Sequence, residues 1–159
     1  MQWSKITDII LIASIAVLGV FAILGFCQLV RRKSLKKVDK PLLAMLIPLV
    51  LMAITYFIFD KFLVLNIRPN GSGEPSFPST HTMVVATIFL LTAIILPNYI
   101  KSKTTRVIMN IVMLLFIALV SVGRVLANMH WVSDVVGGLI FAVIFAVIYY
   151  LILRRTKHA

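Results

Sequence analysis

Carboxylates are scarce in this chain: only five of its 159 residues are acidic. They form no cluster along the sequence, which leaves no ligand set suited to Mg²⁺. Cys27 is the single cysteine, so an internal disulfide and a thiolate metal site are both excluded, and it reads as an ordinary apolar residue of a helix. There is no repeat of fixed period and no low-complexity segment. The one long irregular stretch runs from about Asn66 to Pro78 and holds Pro69, Gly71, Gly73 and Pro75, a density that breaks helices and builds turns. What is abundant is apolar surface: 61% of the residues are hydrophobic and the mean hydropathy is +1.06. A soluble domain of this size neither needs nor tolerates so much.

Five apolar runs approach the ~20 residues that a helix needs to cross ~30 Å of hydrocarbon. They lie at about Ile9–Val30, Pro41–Phe59, Thr80–Leu96, Val107–Val122 and Val132–Leu153. The third and fourth are a little short, so their ends are expected to continue into the interface. The expected fold is all-α, a polytopic membrane bundle of about five transmembrane helices with an external loop at the site, and residues 1–159 form a single domain. The first run is expected to stay in place. It is longer than the ~7–15 residues of a signal-peptide core, and no small-residue cleavage site follows it. Pro41 suits the first turn of the second span, and Pro48 is expected to kink it. Gly137 and Gly138 suit a close helix approach.

The formal net charge of +11 has a pattern that excludes a nucleic-acid partner as its cause. Arg31, Arg32, Lys33, Lys36, Lys37 and Lys40 lie between the first two spans. Lys101, Lys103 and Arg106 lie between the third and fourth, and Arg154, Arg155 and Lys157 follow the fifth. Twelve of the 16 basic residues thus fall on one side of a five-span chain. Excess Lys and Arg mark the cytoplasmic side, which places the N-terminus outside and the C-terminus inside a cell membrane. Attraction to anionic lipid accounts for these loops.

Three polar clusters then land together on the external face: Lys61–Pro69, Pro78–His81 and Arg124–Asp134. Charged and imidazole groups beside long apolar runs are costly, and their default reading is functional. Ser79 is the natural N-cap of the third span, whose free N–H groups make an anion site; a plain cap is the simpler reading of the residue alone. His81 sits in that first turn. His130 and Asp134 are four apart, so on a helix Asp134 can accept the Nδ1–H of His130 and leave Nε2 with a free lone pair. A pair that merely satisfies itself is the plainer alternative. Lys61 and Arg68 taken singly would snorkel, and Asp60 can pair with Lys61. Taken with Arg124, the three cations would surround a phosphoryl group. His158 lies in a charged tail and is given no role.

These motifs resemble those of the type 2 phosphatidic acid phosphatase family, which is related to the vanadium haloperoxidases. Lys61, Arg68 and Pro69 match its first motif with the same spacing. Pro78, Ser79 and His81 match the second, with Thr80 where glycine is usual. Arg124, His130 and Asp134 match the third, with Gly123 where serine is common. The match covers about residues 61–134, and many relatives have six spans rather than five. The resemblance implies that His130, oriented by Asp134, attacks phosphorus to form a phosphohistidine. His81 then protonates the leaving oxygen and activates water. Lys61, Arg68, Ser79, Thr80 and Arg124 hold the phosphoryl oxygens, with no metal or other cofactor.

The stretch PSFPSTHT resembles the second motif of bacterial undecaprenyl-diphosphate phosphatases. A polyprenyl diphosphate in the bilayer is therefore the leading substrate, with phosphatidic acid or phosphatidylglycerophosphate as the alternative. A non-enzymatic anion-binding or transport protein is the reading from another class. Against it stand the odd span count, the lack of a repeat and the gathering of polar groups at one face.

Overall fold

The computed structural model describes residues 2–158, without the side chains of Lys157 and His158, so the His158 expectation lies outside the described residues. Six α-helices follow in order: α1 (Gln2–Arg32), α2 (Lys40–Ala44), α3 (Leu46–Lys61), α4 (Thr80–Ile95), α5 (Lys103–Leu126) and α6 (Val132–His158). Single 3-10 turns stand at Leu35–Lys37 and Leu96–Asn98. Among the described residues there is no strand, only an isolated antiparallel bridge between Ile67 and Pro75. Because α2 and α3 act as one span, five segments among the described residues are long and apolar enough to cross a membrane. The expected all-α bundle is the fold observed. The two runs that look short in sequence are completed at their ends, as Thr80–Asn98 and Lys103–Leu126.

The second span is interrupted at Met45, between α2 and α3. Pro48 explains the break: it has no N–H to give the carbonyl of Ala44, and its ring crowds the preceding turn. Pro41 lies in the first turn of α2, as its fixed φ favours.

The core sits on α4, which packs against α6, α5 and α1. Ten of its 16 residues are buried, among them Met83, Val85, Ile88, Phe89, Leu91 and Ile95. By contrast, α1 and α5 leave Ile9, Ile12, Phe26, Ile108, Leu114, Leu115 and Val122 exposed. An apolar surface this extensive belongs against lipid.

Two glycines decide how closely the helices meet. A Cβ on Gly138 of α6 would stand 2.9 Å from the Ser79 carbonyl oxygen and 3.2 Å from the Met83 nitrogen. Backbone cannot step aside, so only glycine lets α6 lie this close to the start of α4. The neighbouring Gly137 faces the Phe77 ring at similarly short range. On α5, a Cβ at Gly123 would come 2.7 Å from Cγ2 of Thr7, which is how α1 reaches α5.

Gly138→Val and Gly123→Val should each destabilise the fold by about 1–3 kcal/mol through overpacking. Gly19 has nothing within 4 Å of its Cβ direction, so Gly19→Ala should add ~0.5–1 kcal/mol through helix propensity. Thermal unfolding in detergent measures all three. A Gly138 variant that melted with the parent would contradict the close approach.

Candidate active site

The Arg124–Asp134 motif is a helix end, a turn and a helix start. α5 stops at Leu126, and Asn128 adopts a left-handed φ of 55° just beyond it. Met129 N–H donates to the Arg124 carbonyl (3.2 Å) and Asn128 N–H to that of Val125 (2.9 Å). This is a Schellman close, with asparagine tolerating the position usually held by glycine. It leaves Arg124 buried on the last turn of α5 and returns the chain so that His130 lies buried just ahead of α6.

Asp134 occupies the third position of α6 and is fully buried. Its Oδ2 accepts the Trp131 N–H (2.9 Å), one half of a capping box. Its Oδ1 accepts from Asn66 Nδ2 (2.6 Å), and its backbone carbonyl accepts the Ser79 N–H (2.9 Å). The loop after α3 is fastened by the same segment. Trp131 Nε1 donates to the Ile67 carbonyl (2.8 Å), while Ser76 N–H to Asn66 O (2.9 Å) and Arg68 N–H to Glu74 O (3.0 Å) fold the loop on itself. Gly71 and Gly73 supply positive φ values of 78° and 75° at its tip.

The direct His130–Asp134 hydrogen bond expected from their spacing is not made. His130 precedes the helix instead of riding on it, and both Asp134 oxygens already hold donors. His130 Nδ1 is 3.7 Å from Asp134 Oδ2 and 2.9 Å from the Ser76 carbonyl oxygen. A carbonyl only accepts, so Nδ1 carries the hydrogen and Nε2 keeps its lone pair. The loop thus fixes the tautomer, and Asp134 acts on the ring as a nearby charge.

At the start of α4, Ser79 takes the N-cap position without the expected cap bond to a backbone N–H. Its buried hydroxyl pairs instead with Thr82 Oγ1 (3.0 Å). The N–H groups of Thr80, His81 and Thr82 belong to the open end of the helix. Thr80 itself lines a small cavity with Phe59, Asp60 and Phe77. His81 Nε2 lies 2.9 Å from Oδ1 of Asp8, and Arg124 Nη1 lies 3.6 Å from the same oxygen. Arg124 Nη1 also approaches Thr7 Oγ1 at 3.5 Å.

Arg68 reaches the cluster from the loop, with Nη1 held by Glu74 Oε2 at 2.7 Å. The Nε atoms of Arg68 and Arg124 are both buried without a hydrogen-bond partner among the described residues. Lys61 is not brought in: its Nζ bonds Asp60 Oδ2 (2.8 Å) and its side chain is 62% exposed. Helix α3 ends there, so the adjacent carboxylate is the nearest partner. Asp8, Thr7, Asn66 and Ser76 are contributors that the motifs do not name. A signal existed for Asp8 alone, the one acidic residue of the 31-residue α1.

Burial, followed by the positive field of Arg124, lowers the His130 pKa from 6.5 to about 4, against the opposing pull of the Ser76 carbonyl and Asp134. The ring is therefore neutral in the fold at pH 7. Unfolded, it takes up a proton near 6.5, so its contribution to stability is complete above that pH and is lost as pH falls towards about 4. His130→Gln should flatten the fall in stability across that window, as read from denaturation midpoints between the two pH values. An unchanged slope would contradict a neutral buried ring.

The sequence model of the PAP2 superfamily matches residues 53–157. No curated protein matches. The fold is similar to the crystal structure of a transmembrane PAP2-type phosphatidylglycerolphosphate phosphatase from Bacillus subtilis, with a TM-score of 0.68 and 21% identity, over 99% of this chain and 76% of that one. At that identity the likeness concerns the fold. The family match reaches from the last turns of α3 through α6 and takes in every motif residue, so the chain belongs to the PAP2 superfamily.

Proposed function

We propose that the protein is an integral-membrane lipid phosphate phosphatase working through a phosphohistidine. Residues 1–159 would act as one domain around a motif core at about 61–134. The observation that carries this reading is two arginines, Arg68 and Arg124, whose buried Nε groups have no partner among the described residues, with His130 in their positive field and His81 sharing the Asp8 carboxylate with Arg124. Buried donors left unpaired are costly, and an anion with several oxygens is what satisfies them. His130 has its Nε2 lone pair free for phosphorus. His81 gives a proton to the leaving oxygen and later takes one from water. Arg68, Arg124 and the N–H groups at the start of α4, Thr80 included, hold the phosphoryl oxygens. Ser79 anchors that turn. Asp134 steadies the charge that develops on His130.

The leading substrate is a polyprenyl diphosphate such as undecaprenyl diphosphate, supported by the PSFPSTHT stretch. The site is proposed to face outward from a cell membrane, with the basic loops inside. Phosphatidylglycerophosphate is the second reading, favoured by the fold likeness to the Bacillus subtilis enzyme. The lipid tail would stay in the bilayer beside the exposed apolar faces of the bundle.

His130→Ala should abolish phosphate release while the protein stays folded, whereas a pure anion carrier would keep its binding. Arg124→Ala should lower kcat by about 10²–10³-fold, the usual cost of removing an oxyanion donor from a closed site. Lys61→Ala should cost much less, since that side chain is exposed and paired with Asp60. Activity should persist in excess chelator; loss with EDTA and recovery with Mg²⁺ would overturn the metal-free mechanism. Phosphate release from undecaprenyl diphosphate, phosphatidic acid and phosphatidylglycerophosphate ranks the substrates.

A further inference from the structure

We propose that Asp8 of α1 is the positioning partner of His81, giving the site a second carboxylate–histidine pair from outside the family-matched region. The inference rests on the phosphatase reading, in which His81 carries the leaving-group proton. Asp8 Oδ1 lies 2.9 Å from His81 Nε2 and 3.6 Å from Arg124 Nη1. No other acidic residue occurs on α1, and a carboxylate at the edge of a membrane span is costly unless it has work to do. Its placement is fixed by packing. The adjacent Thr7 is fully buried, with Oγ1 donating to the Ser4 carbonyl (2.8 Å) and Cγ2 seated against Gly123. That contact sets the height of Asp8 opposite the first turn of α4.

The pairing decides which nitrogen of His81 meets the substrate. Nε2–H is donated to Asp8, so Nδ1 is the nitrogen available to the leaving oxygen. In the first step the His130 Nε2 lone pair forms the N–P bond as the bond from phosphorus to the lipid oxygen breaks. That oxygen keeps the bonding electrons and takes the proton from Nδ1–H of the His81 imidazolium. In the second step Nδ1 takes a proton from water, whose oxygen bonds to phosphorus. The P–N bond breaks, its electron pair returns to His130 Nε2, and inorganic phosphate leaves. Asp8 stays a carboxylate throughout and faces the ring when it is charged.

Asp8→Asn keeps the shape and one acceptor while removing the charge. The test compares kcat/KM, which reads through the first irreversible step, for two monoesters. One is phosphatidic acid, whose alkoxide must be protonated on leaving, and the other is p-nitrophenyl phosphate, whose phenolate leaves without a proton. The expected loss is about 10–100-fold for the lipid, by analogy with the range seen when hydrogen-bond partners of metal-ligating histidines are removed. The nitrophenyl ester should change little, KM should hold, and Asp8→Glu should restore part of the loss. In ¹⁵N spectra of histidine-labelled protein, Asp8→Ala, which leaves no acceptor for Nε2–H, should alter the tautomer of His81 and leave that of His130 alone. Equal losses on both esters would reduce Asp8 to a structural role and overturn the proposal. Tighter binding of inorganic phosphate with kcat retained would also overturn it, because the carboxylate would then merely occupy a phosphate oxygen position. A parent protein that released phosphate from neither ester nor from undecaprenyl diphosphate would sink the phosphatase reading instead, and the ¹⁵N comparison would still decide whether Asp8 governs His81.

Discussion

The site depends on one buried carboxylate. Asp134 is fully excluded from solvent, and a charge in that position persists only if donors surround it. Asn66 comes from the loop, the Trp131 N–H from the start of α6, and the Asp134 carbonyl in turn holds the Ser79 N–H at the start of α4. Three segments far apart in sequence are therefore tied to one residue. The loop so anchored presents the Ser76 carbonyl to His130, which decides the tautomer of the ring. A carboxylate expected to orient the histidine directly does so through the loop it pins.

The close approach of the helices serves the same end. Gly138 lets α6 touch the backbone at the start of α4, so Asp134 and Ser79 can share a hydrogen bond. Gly123 lets α1 touch α5 one residue before Arg124. Arg124 is then walled in by Thr7 and Asp8, and its Nε is shut away from water. Electrostatic preorganisation of this kind needs rigid neighbours, because a guanidinium free to swing would relax towards solvent. Lys61 shows the contrast: it ends a helix at the surface, and Asp60 takes it.

The span pattern and the motif spacing were legible because each has a short-range cause. Apolar runs report membrane helices, and the interval from Arg124 to His130 is the length of one helix close and one turn. Pro48 likewise announced the break near Met45. The hydrogen-bond partners were not legible. Asn66 and Ser76 are ordinary loop residues until the fold sets them beside Asp134 and His130, and no local periodicity encodes a contact across about 60 positions. The same holds for Lys61, whose motif position gives its identity but not the direction of its side chain. Asp8 carried a signal as the one carboxylate of a largely apolar helix, but it was unplaceable without its partner.

Gly123 brings these threads together. The family pattern commonly has serine at this position, where glycine offers no hydroxyl to a phosphate. In the structure a Cβ there would press on the Thr7 methyl at 2.7 Å, so a serine would force the buried Thr7 side chain, or α1 with it, to shift. Moving α1 would carry Asp8 away from His81 and open the wall around Arg124. The departure from the pattern and the carboxylate beside His81 are thus one packing solution: a side chain is given up on α5, and α1 closes the pocket with groups of its own. On this view the helix outside the family-matched region is part of the site's wall, and the spacing of the motifs alone does not describe the pocket.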